Sequence, residues 1–279
     1  MSAVPSPDLT EFIATHERIF VLTGAGVSTA SGIPDYRDLD GAWKQTPPME
    51  YREFVGGIAA RQRYWARSYL GWQRFGAAEP NDAHRALAAL EREGRVVHTV
   101  TQNVDGLQQR AGSRRVIELH GSLSSVDCLD CGGSYARADL QRALLEHNPQ
   151  LAGVAGEIAP DGDAWLRDFD ESELDIPACR ACGGVLKPAV VFFGESVPRE
   201  RVQRCRDALD EADAVLVVGS SLMVYSGFRF VREAAGKGIP VAAINLGRTR
   251  ADELLAFKIE QDCANALNAS LAQLGSRSA

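Results

Sequence analysis

No stretch of this sequence carries the roughly 20 consecutive apolar residues that a bilayer-spanning helix requires. Nor is there a surplus of positive charge: 30 Lys and Arg face 37 Asp and Glu, giving a net charge of −7 and a pI near 5.3. That balance argues against nucleic acid or an anionic membrane as a partner reached by bulk electrostatics. The opening stretch MSAVPSPDLTEFIATHE has neither a basic region followed by an apolar core nor an arginine-rich amphipathic pattern, so no export or transit signal is read there. The expectation is a cytoplasmic protein of a cell without organelles, with no membrane and no nucleic-acid partner. Internal repeats and low-complexity tracts are missing as well. What is present, 45% apolar and 24% charged residues over 279 positions, suits an ordinary globular chain with one large domain, or one plus a smaller module.

The most informative stretch is FVLTGAGVSTASGIPDYR, from Phe20 to Arg37. Ile19, Phe20, Val21 and Leu22 read as a strand buried on both faces. It ends at Thr23-Gly24-Ala25-Gly26, where two glycines allow a tight turn and a close approach to a phosphate. Val27-Ser28-Thr29-Ala30-Ser31 would then open a helix whose free N–H groups face an anion, which suits a dinucleotide pyrophosphate. The usual G-x-G-x-x-G fingerprint is incomplete, because Thr29 stands where its third glycine belongs. An ordinary βα turn would share this pattern. The loop Gly32-Ile33-Pro34-Asp35-Tyr36-Arg37 adds weight: Pro34 ends any helix, and a carboxylate, an aromatic ring and an arginine follow at once, as in a lid over a bound ligand.

Further on, residues 39–80 offer no convincing strand, and Ile58 to Phe75 reads as a helix. Asp82 to Arg92 is an amphipathic helix with Gly94 beyond its end. Strands are expected at Arg95 to Thr101, Val116 to Leu119, Ala189 to Phe193, Ala214 to Val218 and Ile239 to Ile244, with helices at Arg199 to Ala212 and Phe228 to Ala235. The polar tail from Gln273 to Ala279 is expected to fray. Each apolar strand runs into a small or polar cluster, at Gly24, Gln102, His120, Gly194, Gly219 and Asn245. In a doubly wound parallel sheet the carboxyl ends share one edge, and ligands bind in the crevice outside it. The expected fold is α/β, a Rossmann-like parallel sheet flanked by helices with a smaller zinc-ribbon plus helical module. The larger domain is assigned to 1–38, 81–123 and 184–279, the helical part of the smaller one to 39–80, and its zinc-binding part to 124–183.

Four of the six cysteines fall in two C-x-x-C pairs, Cys128/Cys131 and Cys179/Cys182, each followed by Gly-Gly. With no export signal, metal is favoured over disulfides, and four thiolates imply one closed, structural Zn2+. Residues 132–178 intervene, against roughly 15–20 in a simple ribbon. This insertion, with Ala159-Pro160-Asp161-Gly162-Asp163, could reach toward the cleft or form a plain surface loop. Cys205 reads as packing.

Taken together, GAGVSTASGIPDYR, TQNVDG, His120-Gly121, the two knuckles, VVFFGE, GSS and NLG occur in the order found in sirtuins, the NAD-dependent protein-lysine deacylases. The resemblance runs from about Phe20 to Cys263. RQRYWAR, LKPAVVFFGE, GSSLMVYSG and the long insertion look most like the class II branch. Two departures stand out: Asp38 follows Tyr36-Arg37 where the family usually has serine, and Gln108 replaces a histidine after TQNVDGL.

The resemblance implies that NAD is consumed rather than reduced, which accords with the lack of a ribose-binding acid on a second strand. It places the nicotinamide under Pro34, Asp35, Tyr36 and Arg37 and its ribose against Gln102, Asn103, Val104 and Asp105. The adenine side falls to Gly219, Ser220, Ser221, Asn245, Leu246 and Gly247, with Cys263 near the adenine. Asn103, Asp105 and His120 become the catalytic set. Loss of nicotinamide leaves an oxocarbenium-like centre, the acyl oxygen attacks, and His120 acts as general base; an isolated histidine in this position would otherwise read as a core residue. Val191, Phe192, Phe193 and Gly194 would take an acyl-lysine peptide as an added strand. Tyr64 and Arg67 share a helical face and would favour acidic or longer acyl groups, unless Arg67 is a plain surface arginine. A monomer acting on acyl-lysine proteins or peptides is expected. A mono-ADP-ribosyltransferase, or a zinc-ribbon binding module with a degenerate NAD domain, are the competing readings.

Overall fold

The computed structural model describes residues 8–44, 47–154, 156–158, 164–166 and 169–277. In chain order the helices are α1 (Leu9–Thr15), α2 (Tyr51–Gly56), α3 (Ile58–Ala77), α4 (Asp82–Arg92), α5 (Leu107–Arg110), α6 (Arg137–His147), α7 (Arg199–Asp210), α8 (Tyr225–Gly236) and α9 (Cys263–Arg277). The strands are β1 (Ile19–Thr23), β2 (Val96–Thr101), β3 (Val116–Glu118), β4 (Gly121–Cys128), β5 (Ser134–Ala136), β6 (Gly156–Ile158), β7 (Ala164–Leu166), β8 (Leu186–Val190), β9 (Ala214–Val218), β10 (Val241–Ile244) and β11 (Phe257–Ile259). Among the described residues no helix is long and apolar enough to cross a membrane.

Six parallel strands form the main sheet in the order β11-β10-β9-β1-β2-β3. The order turns back on itself beside β1, so the chain ends of β1 and β9 face one another across the switch point where ligands bind in such sheets. Both faces of the central strands are covered, which is why they read as unbroken apolar runs. Ile19 and Val21 point into a core with Leu9, Ile13, Leu87, Leu90 and Leu267 from α1, α4 and α9. Phe20 and Leu22 point the other way, onto Leu209, Phe230 and Val231 from α7 and α8.

A second core is built from Phe54, Tyr64, Trp65, Tyr69, Leu140, Leu144, Leu174 and Phe192. It packs α2, α3 and α6 against a three-stranded antiparallel sheet, β5-β4-β8. Here the expected strand at Ala189 to Phe193 is corrected. The strand is Leu186–Val190, and it pairs with β4 rather than with the parallel sheet. Gly121, at φ +80°, lets the chain pass from one sheet to the other, because a Cβ there would stand 2.0 Å from the Ala189 carbonyl oxygen.

Three further expectations change. Instead of an α-helix over Val27 to Ser31, two short 3-10 turns occupy Ala25–Val27 and Thr29–Ser31, closed by Gly32 at φ +82°. The tail does not fray from Gln273, since α9 continues to Arg277 and the Thr10 hydroxyl donates to Gln273 Oε1 at 2.8 Å. The insertion packs on α3: Gln62 Nε2 donates to the carbonyls of Ser172 and Leu174 at 2.7 and 3.0 Å. The segment Ala159 to Asp163 lies outside the described residues.

Asn148, 1% exposed, ties the insertion back on itself. Its amide donates to Leu144 O (2.9 Å) and Asp175 O (2.8 Å) and its oxygen accepts from Asp175 N (2.7 Å). Replacing Asn148 by Ala strands these buried partners and should cost about 2–3 kcal/mol, read from urea unfolding, with new proteolytic cleavage inside 149–175.

Candidate active site

A cavity of about 900 Å³ opens where the carboxyl ends of β1, β2, β3, β9 and β10 meet the smaller core, within the size range of a cofactor-sized pocket. Five of the six polar clusters read from the sequence reach it from the parallel sheet, and Val191–Gly194 reach it from β8 on the other side.

The floor is glycine. Gly26 N donates to Gly219 O at 2.9 Å and Gly24 N to Val218 O at 3.2 Å. A Cβ on Gly24 would stand 2.7 Å from Ser220 Cβ, one on Gly26 2.9 Å from Gly219 O, and one on Gly219 (φ +61°) 2.4 Å from Val27 N. No side chain fits between these turns, so bare backbone forms the floor of the cavity and a diphosphate could lie close against it. The Gly24, Gly26 and Gly219 N–H groups are themselves held by Val218 O, Gly219 O and Ile244 O.

Beside this floor lies a connected polar chain. Asn103 Nδ2 donates to Gly24 O (3.1 Å) and to Ser28 Oγ (3.0 Å), and the Ser28 hydroxyl donates to Asp105 Oδ2 (2.8 Å). Behind it His84 Nδ1 accepts from Asn81 N at 3.3 Å, which puts the ring proton on Nε2, 3.4 Å from Ser28 Oγ. His84 is 2% exposed, and its burial pushes its pKa down to about 4 against the opposing pull of Asp105.

His120 has the opposite tautomer. Its Nδ1 lies 2.9 Å from the Gln102 carbonyl oxygen, which can only accept, so Nδ1 carries the proton. Nε2 is left with its lone pair, into which the Ser226 hydroxyl donates at 2.7 Å. Burial lowers the His120 pKa to about 4, and Arg201 and Arg229 push the same way. An imidazole so placed is neutral at physiological pH and offers a lone pair to the cavity.

The lid is an aromatic cluster. The Arg37 guanidinium lies 4.0 Å from the Trp43 ring centre and donates to Gly41 O at 2.7 Å, while Tyr36 and Trp43 both pack edge-on against Phe193. Asp38, one of the two departures, accepts from the amides of Asp40 and Ala42 at 3.0 and 2.9 Å and so fixes the loop's return. Gln108, the other, is buried and donates to Ser113 Oγ (2.7 Å) and His84 O (3.3 Å), away from the cavity.

Most of the residues singled out from the sequence line the cavity: Gly24, Ala25, Gly26, Ser28, Pro34 to Arg37, Tyr64, Gln102 to Asp105, His120, Val191 to Gly194, Gly219 to Ser221, Asn245 and Leu246. Four do not. Thr29 is exposed and bonds to Gly26 O, and a Cβ on Gly247 would meet Leu39 O at 2.4 Å. Cys263 belongs to the apolar core beside Leu267, and Arg67 Nε donates to Glu171 Oε1 of the insertion at 2.7 Å. Ser226, Trp43 and Arg229 line the cavity unforeseen; Ser226 has no local signal, because it meets His120 only through the packing of α8.

Away from the cavity, the Sγ atoms of Cys128, Cys131, Cys179 and Cys182 all lie within 4.8 Å of one another, with Cys128–Cys182 at 3.5 Å and Cys131–Cys179 at 3.8 Å. Four sulfurs about 2.3 Å from a tetrahedral zinc lie just under 4 Å apart, so the set fits that ion. The knuckles are matched: Gly132 N and Gly183 N donate to Cys128 O and Cys179 O at 3.0 and 2.8 Å, and both glycines have positive φ. Zinc held there would cross-link the start and the end of the smaller unit and leave no position for a reacting water.

The Sir2 family model matches residues 24–226, and the chain belongs to that family. It is 58% identical over 270 residues to an NAD-dependent protein deacetylase of Xanthomonas axonopodis pv. citri (strain 306), covering 96% of this chain and 92% of that one. It is 56% identical over 269 residues to NAD-dependent protein deacetylase 2 of Bradyrhizobium diazoefficiens, covering 96% and 98%. A solved Sir2 structure bound to acetylated peptide superposes with a TM-score of 0.75 at 28% identity, covering 96% of this chain and 99% of that one. Another, of Sir2 with a p53 peptide and NAD+, gives 0.75 at 29%, covering 95% and 97%.

Two outcomes follow from this arrangement. Metal analysis of the purified protein should find one zinc per chain, lost in Cys128→Ser together with about 3 kcal/mol or more of stability in urea unfolding. His84 stays neutral in the fold while the unfolded chain takes up its proton below about pH 6.5, so its contribution is complete above 6.5 and declines as pH falls toward 4. The loss should reach about 3 kcal/mol, and His84→Gln should unfold with a visibly shallower dependence on pH between 7 and 4.5.

Proposed function

We propose that this protein removes acyl groups from lysine side chains of proteins or peptides, with NAD as the co-substrate. The supporting observation is His120: a neutral imidazole with its proton fixed on Nδ1 by the Gln102 carbonyl and its Nε2 lone pair on the cavity, where the strand ends of the sheet converge. The names of the relatives and the peptide and NAD+ in the Sir2 structures agree with this reading.

NAD, when bound, supplies an activated sugar carbon with nicotinamide as leaving group. The chain's own part is positional and protic. Gly24, Gly26 and Gly219 carry no side chain that would hold a diphosphate away from the backbone. Asn103, Ser28 and Asp105 hold one another and so fix the side chains around the ribose. Tyr36, Arg37, Trp43 and Phe193 close over the pyridine side and exclude water. His120 Nε2 takes the ribose hydroxyl proton as the Ser226 hydroxyl gives way. A peptide backbone entering beside Val191–Gly194 can add its own hydrogen bonds there.

For the acyl group, Tyr64 stands in the wall with Phe192, Leu123 and Val190, which suits an apolar acyl chain. An acidic acyl group would have to draw Arg67 from Glu171, exchanging one carboxylate for another. Transfer of ADP-ribose to a protein would use the same NAD site; nothing in the cavity favours it over deacylation.

His120→Ala should lower turnover of acetyl-lysine peptide by about 10²–10⁴-fold while far-UV circular dichroism and NAD binding stay as in the wild type. Mass analysis should show the peptide losing its acyl group with nicotinamide released; gain of ADP-ribose mass would instead favour the transferase. Since kcat/KM reports the free enzyme, its acidic limb should lie well below pH 6.5, in keeping with a His120 pKa near 4.

A further inference from the structure

Beside the cavity, at the start of α8, three guanidinium groups gather on one phenol ring. Arg229, Arg232 and Arg250 lie 5.3, 5.3 and 5.7 Å from the centre of the Tyr225 ring, and Arg250 is 4.6 Å from that of Phe228. Arg232 also donates to the Tyr225 hydroxyl at 2.6 Å. Arg229 lines the cavity, as does Arg199 at the start of α7. Among the described residues none of these four arginines has a carboxylate within 4.0 Å. Neighbouring cations are neutralised: Arg206 by Glu233, Lys237 by Asp210, and Lys258 by Asp252 and Glu260.

Like charges converge here on a chain whose net charge is −7. The ring face offsets part of their repulsion, but an anion would offset more, and guanidinium groups bind carboxylates in bidentate fashion. The patch is continuous with the cavity. Met223, Val224 and Tyr225 line the same cavity as Val191–Glu195, so a peptide seated against both segments would pass Tyr225, which is 42% exposed. The field also reaches the reacting centre, where Arg229 helps to keep His120 neutral.

We infer that this arginine rim docks acidic residues flanking the acyl-lysine of a protein substrate. The inference rests on the deacylase reading and adds the kind of polypeptide that site prefers. Exposed charge pairs are individually weak, but several acting on one segment raise both encounter rate and affinity, and they fade with salt.

The test compares acyl-lysine peptides of one length whose flanks are Asp/Glu, Ala or Lys, with the wild type and with R232Q/R250Q, both exposed side chains outside the catalytic set. Binding is followed by fluorescence anisotropy at low and high salt, and kcat/KM in parallel. The acidic peptide should bind about tenfold tighter than the Ala peptide at low salt. That advantage should vanish at high salt and in R232Q/R250Q, whose affinity for the Ala peptide stays at the wild-type level. Equal binding of acidic and Ala peptides by the wild type, or an advantage that survives the double variant, overturns the inference. So does a double variant that loses binding to DNA while its peptide preference is unchanged. Turnover of every peptide without flank preference refutes the rim alone, whereas absence of nicotinamide release with any of them refutes the deacylase reading itself.

Discussion

The turns after β1 and β9 touch backbone to backbone, and the rest of the site is arranged on that contact. Gly26 N–H reaches Gly219 O at 2.9 Å with no side chain between them. The approach is available because β1 and β9 are neighbours with matched register, Thr23 opposite Val218, in the middle of a sheet buried on both faces. Hydrophobic burial of those strands on both sides provides the driving force, and the glycines let the two turns close into a floor free of side chains. Leu222, with φ +57° and 1% exposure, carries a left-handed backbone just beyond the second turn, a local strain that the surrounding packing sustains.

A second set of contacts ties the base to the same frame. Gln102 leaves β2, hands its carbonyl to His120 Nδ1, and sends its amide to Ser220 Oγ at 2.9 Å. Gly227 leaves room for that amide, since a Cβ there would stand 2.5 Å from Gln102 Oε1. One glutamine thus links the glycine cradle, the imidazole and the first turn of α8. Two histidines in one site hold opposite tautomers because one meets a carbonyl and the other an amide N–H at Nδ1. Their hydrogen-bond partners, not their burial, decide which nitrogen is free.

The smaller unit closes the cavity from the other side. His120 O accepts from Val191 N at 2.8 Å, so the base, two residues beyond β3, is bonded to the segment expected to receive peptide. Phe193 is in turn bridged to Glu50, and its carbonyl accepts from Tyr51 N at 2.8 Å. Motion of the smaller unit relative to the sheet would therefore be felt at the base through a few hydrogen bonds.

Much of this was legible in the chain itself. Unbroken apolar runs at Ile19–Thr23 and Ala214–Val218 mark strands covered on both faces, glycines mark turns that admit no Cβ, and paired C-x-x-C-G-G knuckles mark a metal site, because each depends on local backbone preference or short-range spacing. What the sequence could not decide were the partners of side chains far apart in the chain. Leu186–Val190 could be a strand of either sheet by its apolar content, and its antiparallel pairing with β4 is set by residues Gly121–Cys128, much earlier in the chain. Arg67 meets Glu171, Ser226 meets His120, and Arg250 joins Arg229 and Arg232 at Tyr225 only after loops of many residues have closed. Closure of such loops is governed by the whole core, which no local stretch encodes.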